Sequence, residues 1–461
     1  MAPFTPLDGL LIGTATAAVQ IEGGDRNNNW YDWASVPGNI RDGSTPLRST
    51  DHWNRWREDT ELMASLGLQT YRMGIEWSRI EPRPGEFDAT ALARYRDEIE
   101  LLRSHGIVPL VTLHHFTNPS WFQGLGEWTV PASVDIWLRF VRHVVTELRD
   151  LVTDWVTINE PNVYAVQTHL FGDGPPGTSS WPAVRKVLRH MAIAHCRAYR
   201  LIHEAQPNAQ VGFAHHMRVF DPWTANNPVH RASARVNALL FQDAVADAFL
   251  GGSFHRLLGR PPADIAPGRY YDYVGLNYYT RTASKRMADA TFPGSPVSDL
   301  GWEIYPEGLI RCARRLNDRY PGPIWVTENG TADNGSADNG SADNGSADNG
   351  SADNGDLTAG RLERFRCRFL DDHLTMIARS TLPFARYYHW CFVDNWEWKE
   401  GEVARFGIVH NDYATQTRTI KPSGHFLARI IAEAGISDAA RADFVEPQGC
   451  PRDSAAREAG R

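Results

Sequence analysis

A chain of 461 residues with 42% hydrophobic and 22% charged residues can bury a large core, which excludes disorder as its main state. Its formal net charge of -8 offers no basic surface for a phosphate backbone, so nucleic acid is not an expected partner. No apolar run is long enough to span a bilayer. Cys196, Cys312, Cys367, Cys391 and Cys450 are odd in number and form no CxxC pair, so they read as reduced, mostly buried thiols and not as a disulfide framework or zinc site.

The first apolar stretch, Gly9 to Ile21, follows Asp8 and no basic residue; it reads as part of the fold and not as a signal peptide, and a cytoplasmic protein is expected. From there short β-branched runs alternate with amphipathic stretches. Leu10 to Ala15 is a strand, followed by a helix from Trp53 to Leu66. Thr70 to Ile75 precedes Ala91 to Ser104, and Ile107 to His114 precedes Val134 to Leu148. Asp154 to Glu160 precedes Ala183 to Glu204, whose Val184, Val187, Leu188, Met191, His195, Ala198 and Leu201 form one stripe expected to face a sheet. Gln210 to His216 leads to Ala232 to Phe249, and Tyr273 to Tyr279 to Glu307 to Asp318. Ile324 to Asn329 leads to Thr358 to Ile377, and Ala385 to Asp394 to Gly424 to Ala434. Strands such as IVPLVTLH are apolar almost throughout, as expected when both faces are buried. Eight such pairs without a composition break predict one α/β domain over residues 1–446, a single (β/α)8 TIM barrel, with a polar, disordered tail over 447–461.

Chemistry in such barrels sits at the C-terminal ends of the strands. Polar residues interrupt the apolar runs there: His114, the pair Asn159–Glu160, Asn277 with Tyr279, and Glu328. A single strand-end carboxylate is as often a structural ion-pair partner as a catalyst. Two, on strands four and seven of a narrow barrel, suit cleavage of a glycosidic bond with retention, where one carboxyl protonates the leaving oxygen and the other attacks the anomeric carbon. The acid then needs a raised pKa, through burial and a neighbouring negative charge, and the nucleophile needs a cation and donors that keep it ionised. The 16 tryptophans, many beside Asn, Glu or His, mostly serve the core, but a few suit the apolar faces of a sugar ring.

Several motifs carry a family resemblance: TINEP (Thr157 to Pro161), VTENG (Val326 to Gly330), GTATAAVQIEGG, YRMGIEWSRIEP, TLHHF, GLNYY and DNWEWKEG with RFG. Across nearly its whole length the chain resembles glycoside hydrolase family 1, the β-glucosidase family. The resemblance implies Glu160 as acid/base and Glu328 as nucleophile. Asn159 would then hold the sugar 2-hydroxyl, with Arg72 and Tyr279 keeping Glu328 ionised. It also implies sugar binding by Gln20, His114, Asn159, Trp390, Glu397 and Trp398, with Asn277 in support. A carboxylate at Glu397 would repel a 6-phosphate, so unphosphorylated β-glucosides are expected, with β-galactosides or β-fucosides as further candidates. The chain departs from the family at Trp396, where a phenylalanine is usual, and after His114, where His115 and Phe116 replace a tryptophan; both are expected on the pocket wall. His115 and the pair His215–His216 lack the carboxylate spacing of a metal site, and neither a metal nor a cofactor is expected. Transglycosylation through the same intermediate is the first alternative, and a catalytically silent sugar-binding protein the second.

Directly after Glu328 the chain runs TADNG and then four copies of SADNG, from Thr331 to Gly355. With no large apolar residue this insertion is expected to be a flexible loop, and its place after strand seven makes it a candidate flap over the leaving-group side.

Overall fold

The computed structural model describes residues 4–285, 290–333 and 364–445. Eight parallel strands close into a barrel in sequence order: β1 (Leu11–Ala15), β2 (Thr70–Gly74), β3 (Val108–Thr112), β4 (Asp154–Asn159), β5 (Gln210–Pro222), β6 (Val274–Ser284), β7 (Ile324–Asn329) and β8 (Phe384–Trp390). This is the expected TIM barrel. Its strands are apolar on both faces because helices cover the outside and packed side chains fill the inside. The helix Trp181–Ala205 shows why the pattern was readable: Ser180 caps it by accepting from the Ala183 N–H, and all seven stripe residues from Val184 to Leu201 are buried. None of the helices among the described residues is long and apolar enough to cross a membrane.

Three departures from expectation bear on function. Strands β5 and β6 run past the expected ends at His216 and Tyr279, because they go on pairing with each other as far as Pro222 and Ser284. The expected helix Ala232–Phe249 begins at Pro228, where Asn227 caps it, and is broken by a π-turn at Leu239–Asp243 before it resumes to Gly251. Strand β8 stops at Trp390; beyond it the Phe392 N–H still bonds to the Ala15 carbonyl of β1, while Cys391 and Asp394 bond to Phe406 and Val409. Two antiparallel pairs outside the barrel, Phe4–Pro6 with Gly435–Ser437 and Val409–Asp412 with Thr417–Ile420, are too short for period-two alternation to show.

Most of the SADNG insertion, the start expected for the helix after β7, and the tail over 447–461 lie outside the described residues. Thr331, Ala332 and Asp333, which open the repeat, are buried, and the Asp333 N–H bonds to the Arg405 carbonyl. These three residues are therefore packed and not part of a flexible loop.

Candidate active site

The site is assembled where strand pairing slips. Register shifts fall between Val156 and Asn159 on β4, Leu276 and Asn277 on β6, and Val326 and Asn329 on β7. Such irregularities re-aim side chains, and these turn polar residues inward at the C-terminal rim. Gly330 is required just beyond: a Cβ there would lie 2.0 Å from the Trp390 carbonyl oxygen.

Arg72 on β2 is fully buried at the centre of this layer. Its Nη1 donates to Glu328 Oε1 at 2.6 Å and to the Thr327 carbonyl at 3.1 Å, its Nη2 to Asn159 Oδ1 at 2.6 Å, and its Nε to Thr112 Oγ1 at 3.0 Å. The Tyr279 hydroxyl donates to the other oxygen, Glu328 Oε2, at 2.7 Å. Burial and the Glu328 charge push Tyr279 well above its ordinary pKa, so the phenol keeps its proton. Burial also pushes Glu328 up to about 7, with Glu160 adding to the effect and Arg72 and Tyr279 opposing it.

Glu160 closes β4 in the left-handed region, at φ 42°, as the first residue of the turn into the helix Pro161–Val166. Side chains fit this conformation poorly, and it is tolerated where surrounding contacts over-determine it. Glu160 Oε1 accepts from Asn277 Nδ2 at 2.9 Å and is 2.8 Å from His216 Nδ1. Asn277 is itself held by Thr327 Oγ1 at 2.6 Å and reaches Asn159 Oδ1 at 3.2 Å. Burial acts upward on Glu160, but His216, Asn277 and Arg72 outweigh it and hold the carboxyl below its ordinary value. The raised acid expected from burial and a neighbouring charge is thus reversed by a histidine that the sequence reading had set aside.

The structure brings ten of the eleven expected site residues together. Glu160, Tyr279, Glu328, Trp390, Glu397 and Trp398 line one cavity of about 520 Å³; Arg72, Asn159, Asn277 and Gln20 stand behind them. Gln20 Nε2 donates to Glu397 Oε2 at 3.1 Å and to the Trp396 carbonyl at 2.9 Å. Burial pushes Glu397 up to about 8, with Glu328 and Glu160 adding to it while Gln20 and Trp390 pull the other way.

His114 is the correction. It is not on the cavity wall; its Nε2 lies 3.1 Å from Asn118 Oδ1 and 3.3 Å from Trp128 Nε1, in the packing behind strand β3. His115 takes its place on the wall, with its ring near Trp390 and Trp398 and its Nε2 2.9 Å from Asn159 Nδ2. Burial and Arg72 hold His115 well below its ordinary pKa, so the ring is neutral and Nε2 accepts from the amide. Phe116 follows in a turn at φ 67°. Trp396, expected on the wall, is fully buried against Trp30 instead.

Toward solvent the cavity lining mixes apolar side chains with the charged Asp173, Arg218, Lys399 and Glu400. The turn Gln167–Phe171 is a π-turn that presents Leu170 and Phe171 to it, and the π-turn at Leu239–Asp243 presents Leu240 and Phe241. π-turns of this kind recur at functional sites, where the extra residue redirects side chains. Leu300 and Trp302 complete this end.

Two carboxyls facing one cavity, one bonded through both oxygens and one through a single oxygen, can divide nucleophilic and acid/base roles. Comparison with known proteins points the same way. The model of glycosyl hydrolase family 1 matches residues 5–261 and 268–436. β-Glucosidase A of Thermotoga maritima is 30% identical over 94% of this chain and 98% of its own length. A β-galactosidase of Saccharolobus solfataricus is 27% identical over 90% of the chain and 91% of its own length. Among solved structures, the Thermotoga maritima β-glucosidase in complex with glucoimidazole superposes with a TM-score of 0.83 at 28% identity, covering 93% of this chain and 99% of that one.

Proposed function

The chain belongs to glycosyl hydrolase family 1, and from that premise we propose that it is a retaining β-glucosidase with Glu328 as nucleophile and Glu160 as acid/base. The observation that carries the assignment is the asymmetry of donors. Both oxygens of Glu328 accept hydrogen bonds, from Arg72 and Tyr279, which oppose the upward push of burial and so act toward an ionised attacking group. Both bonds made by Glu160 fall on Oε1, which leaves Oε2 to carry the mobile proton. In the first step Glu328 bonds to the anomeric carbon as the glycosidic C–O bond breaks, and the Glu160 proton passes to the departing oxygen. In the second, water gives its proton back to Glu160 as its oxygen displaces Glu328.

Glu397 with Gln20 supplies paired polar groups for vicinal hydroxyls, and Trp390 and Trp398 supply flat apolar faces. The buried carboxyl of Glu397 disfavours a phosphorylated sugar at this end. The apolar part of the lining, with Leu170, Phe171, Leu240, Phe241 and Leu300, favours glucosides whose aglycone is an alkyl or aryl group. A Glu328→Gly variant assayed on p-nitrophenyl β-glucoside with and without azide tests the reading. Loss of hydrolysis, restored by azide as an α-glucosyl azide, is the expected result. A fully active variant without azide would end the assignment.

A further inference from the structure

Behind the acid/base carboxylate stands a histidine that ties it to the nucleophile's partner. His216 lies on β5, 5% exposed. Its Nδ1 is 2.8 Å from Glu160 Oε1. One face of its ring stacks on Tyr279, with centroids 5.7 Å apart and planes 18° apart, while Phe241 meets it edge-on at 5.7 Å and 87°. Tyr279 is the phenol that donates to Glu328. One imidazole therefore touches both carboxyl systems.

We propose that His216 is a positioning residue for the acid/base: it donates from Nδ1 to Glu160 Oε1 and so fixes the reactive proton on Oε2, toward the leaving oxygen. The proposal rests on the reading of Glu160 given above. On one side of the imidazole stands Arg218, whose Nε lies 3.5 Å from His216 Nε2 and whose guanidinium covers the Phe241 ring at 5.1 Å. On the other side, Glu160 Oε1 already accepts from the Asn277 amide, and His216 Nδ1 at 2.8 Å is placed to donate to the same oxygen. Two donors, His216 and Asn277, then converge on Oε1. Oε1 is occupied by these two donors, so when the carboxyl carries its proton the proton sits on Oε2. Peptide contacts hold the histidine itself: its carbonyl accepts from Asn162 Nδ2 at 2.9 Å.

His216 takes no proton in either step. When Glu160 gives up its proton the bond to Oε1 becomes charge-assisted and stronger, so the same contact also steadies the carboxylate that later receives the proton from water. The titratable and charged groups around this pair are Arg72, Glu328, Tyr279 and Glu397 on the Glu160 side, with His215 and Arg218 next to the imidazole. Removing a donor to the carboxylate raises the pKa of Glu160, so the basic limb of kcat/KM moves to higher pH.

The test uses leaving groups that differ in their need for a proton. His216→Phe and His216→Gln are assayed on octyl β-glucoside, whose alkoxide must be protonated, and on 2,4-dinitrophenyl β-glucoside, whose phenolate leaves unaided. For His216→Phe we expect a loss of about ten-fold or more in kcat/KM on the octyl substrate, a change within about three-fold on the dinitrophenyl substrate, and an upward shift of the basic limb. Glutamine, which can still donate, recovers part of the loss. Equal losses on both substrates, or a basic limb that does not move, would overturn the proposal by reducing His216 to a structural role. If phenylalanine prevents folding, His216→Leu, which also lacks a donor, is assayed in its place by the same selectivity. A wild-type enzyme inactive on both substrates would instead sink the β-glucosidase reading, so the two failures are distinguishable.

Discussion

The two catalytic corners are built to opposite rules. Glu328 sits on a barrel strand, with each oxygen bonded to a donor from another strand, and its cation Arg72 makes four hydrogen bonds. Glu160 sits just past the end of its strand, at positive φ, and among the described residues it is anchored through Oε1. A nucleophile gains from immobility, since attack needs a fixed line of approach. A proton carrier needs one oxygen unencumbered and a charge state that changes twice per turnover. The difference shows that one polar layer serves both demands through where its donors converge.

Breaking the rigid corner should have the largest effect. Arg72→Met removes the cation while leaving Glu328 buried. We expect kcat/KM on p-nitrophenyl β-glucoside to fall about 10²- to 10³-fold, by analogy with the loss of a preorganised donor. Stability should fall as well, because an unpaired buried carboxylate costs about 3 kcal/mol. The pH dependence follows from Glu328, whose folded pKa already exceeds the ordinary carboxylate value and would rise further without Arg72. Such a group is protonated in the folded state at pH 5 and costs little there. The cost grows as pH rises toward the folded pKa, so urea unfolding should show a small deficit at pH 5 and a larger one at pH 9. A deficit independent of pH would mean that Arg72 acts by packing alone.

The sugar end sharpens the comparison, because among the described residues Glu397 has Gln20 and Trp390 as its side-chain donors and no cation in a salt bridge with it. Its pKa of about 8 lies above the ordinary carboxylate value, so between those two points the folded state binds more protons than the unfolded one. Stability from this group is therefore lost as pH rises toward 8. Glu397→Gln removes that loss: the variant should melt above wild type at pH 8 and level with it near pH 4. Activity should fall about 10- to 100-fold, as polar contacts to the sugar weaken. A melting difference of equal size at both pH values would show that the carboxyl is not the cause.

The barrel was legible because each strand and its helix are long enough for periodicity to register, and because the strand ends carry polar residues in otherwise apolar runs. Glu160, Glu328, Arg72 and Tyr279 could be placed on that basis together with the family motifs. His114 was misplaced for a physical reason: β3 is regular only to Thr112, the His114 carbonyl still bonds to Asn159 of β4, and the positive-φ turn at Phe116 follows at once, so the inward face could not be read from alternation alone. His216 was visible as a strand-end histidine, but its function depends on Glu160 and Tyr279, from neighbouring strands, and no local pattern reveals that meeting. The two π-turns were hidden because the apolar spacing of one added residue hardly differs from that of an unbroken helix.

Those π-turns set up the mildest test of the comparison. Phe171 is 69% exposed, an expensive place for a phenyl ring unless something covers it during catalysis. It lines the cavity with both carboxyls and is its most exposed apolar residue, so it is expected to touch an aglycone and not the reacting atoms. Phe171→Ala should therefore raise KM for octyl β-glucoside about five-fold, the effect of losing roughly 1 kcal/mol of apolar burial, and leave methyl β-glucoside unchanged. The kcat for both should hold, since neither Oε2 of Glu160 nor the donors of Glu328 are disturbed. Equal changes in KM on the two substrates would place Phe171 in the framework of the turn, and the apolar part of the lining would then lose its claim to select the leaving group.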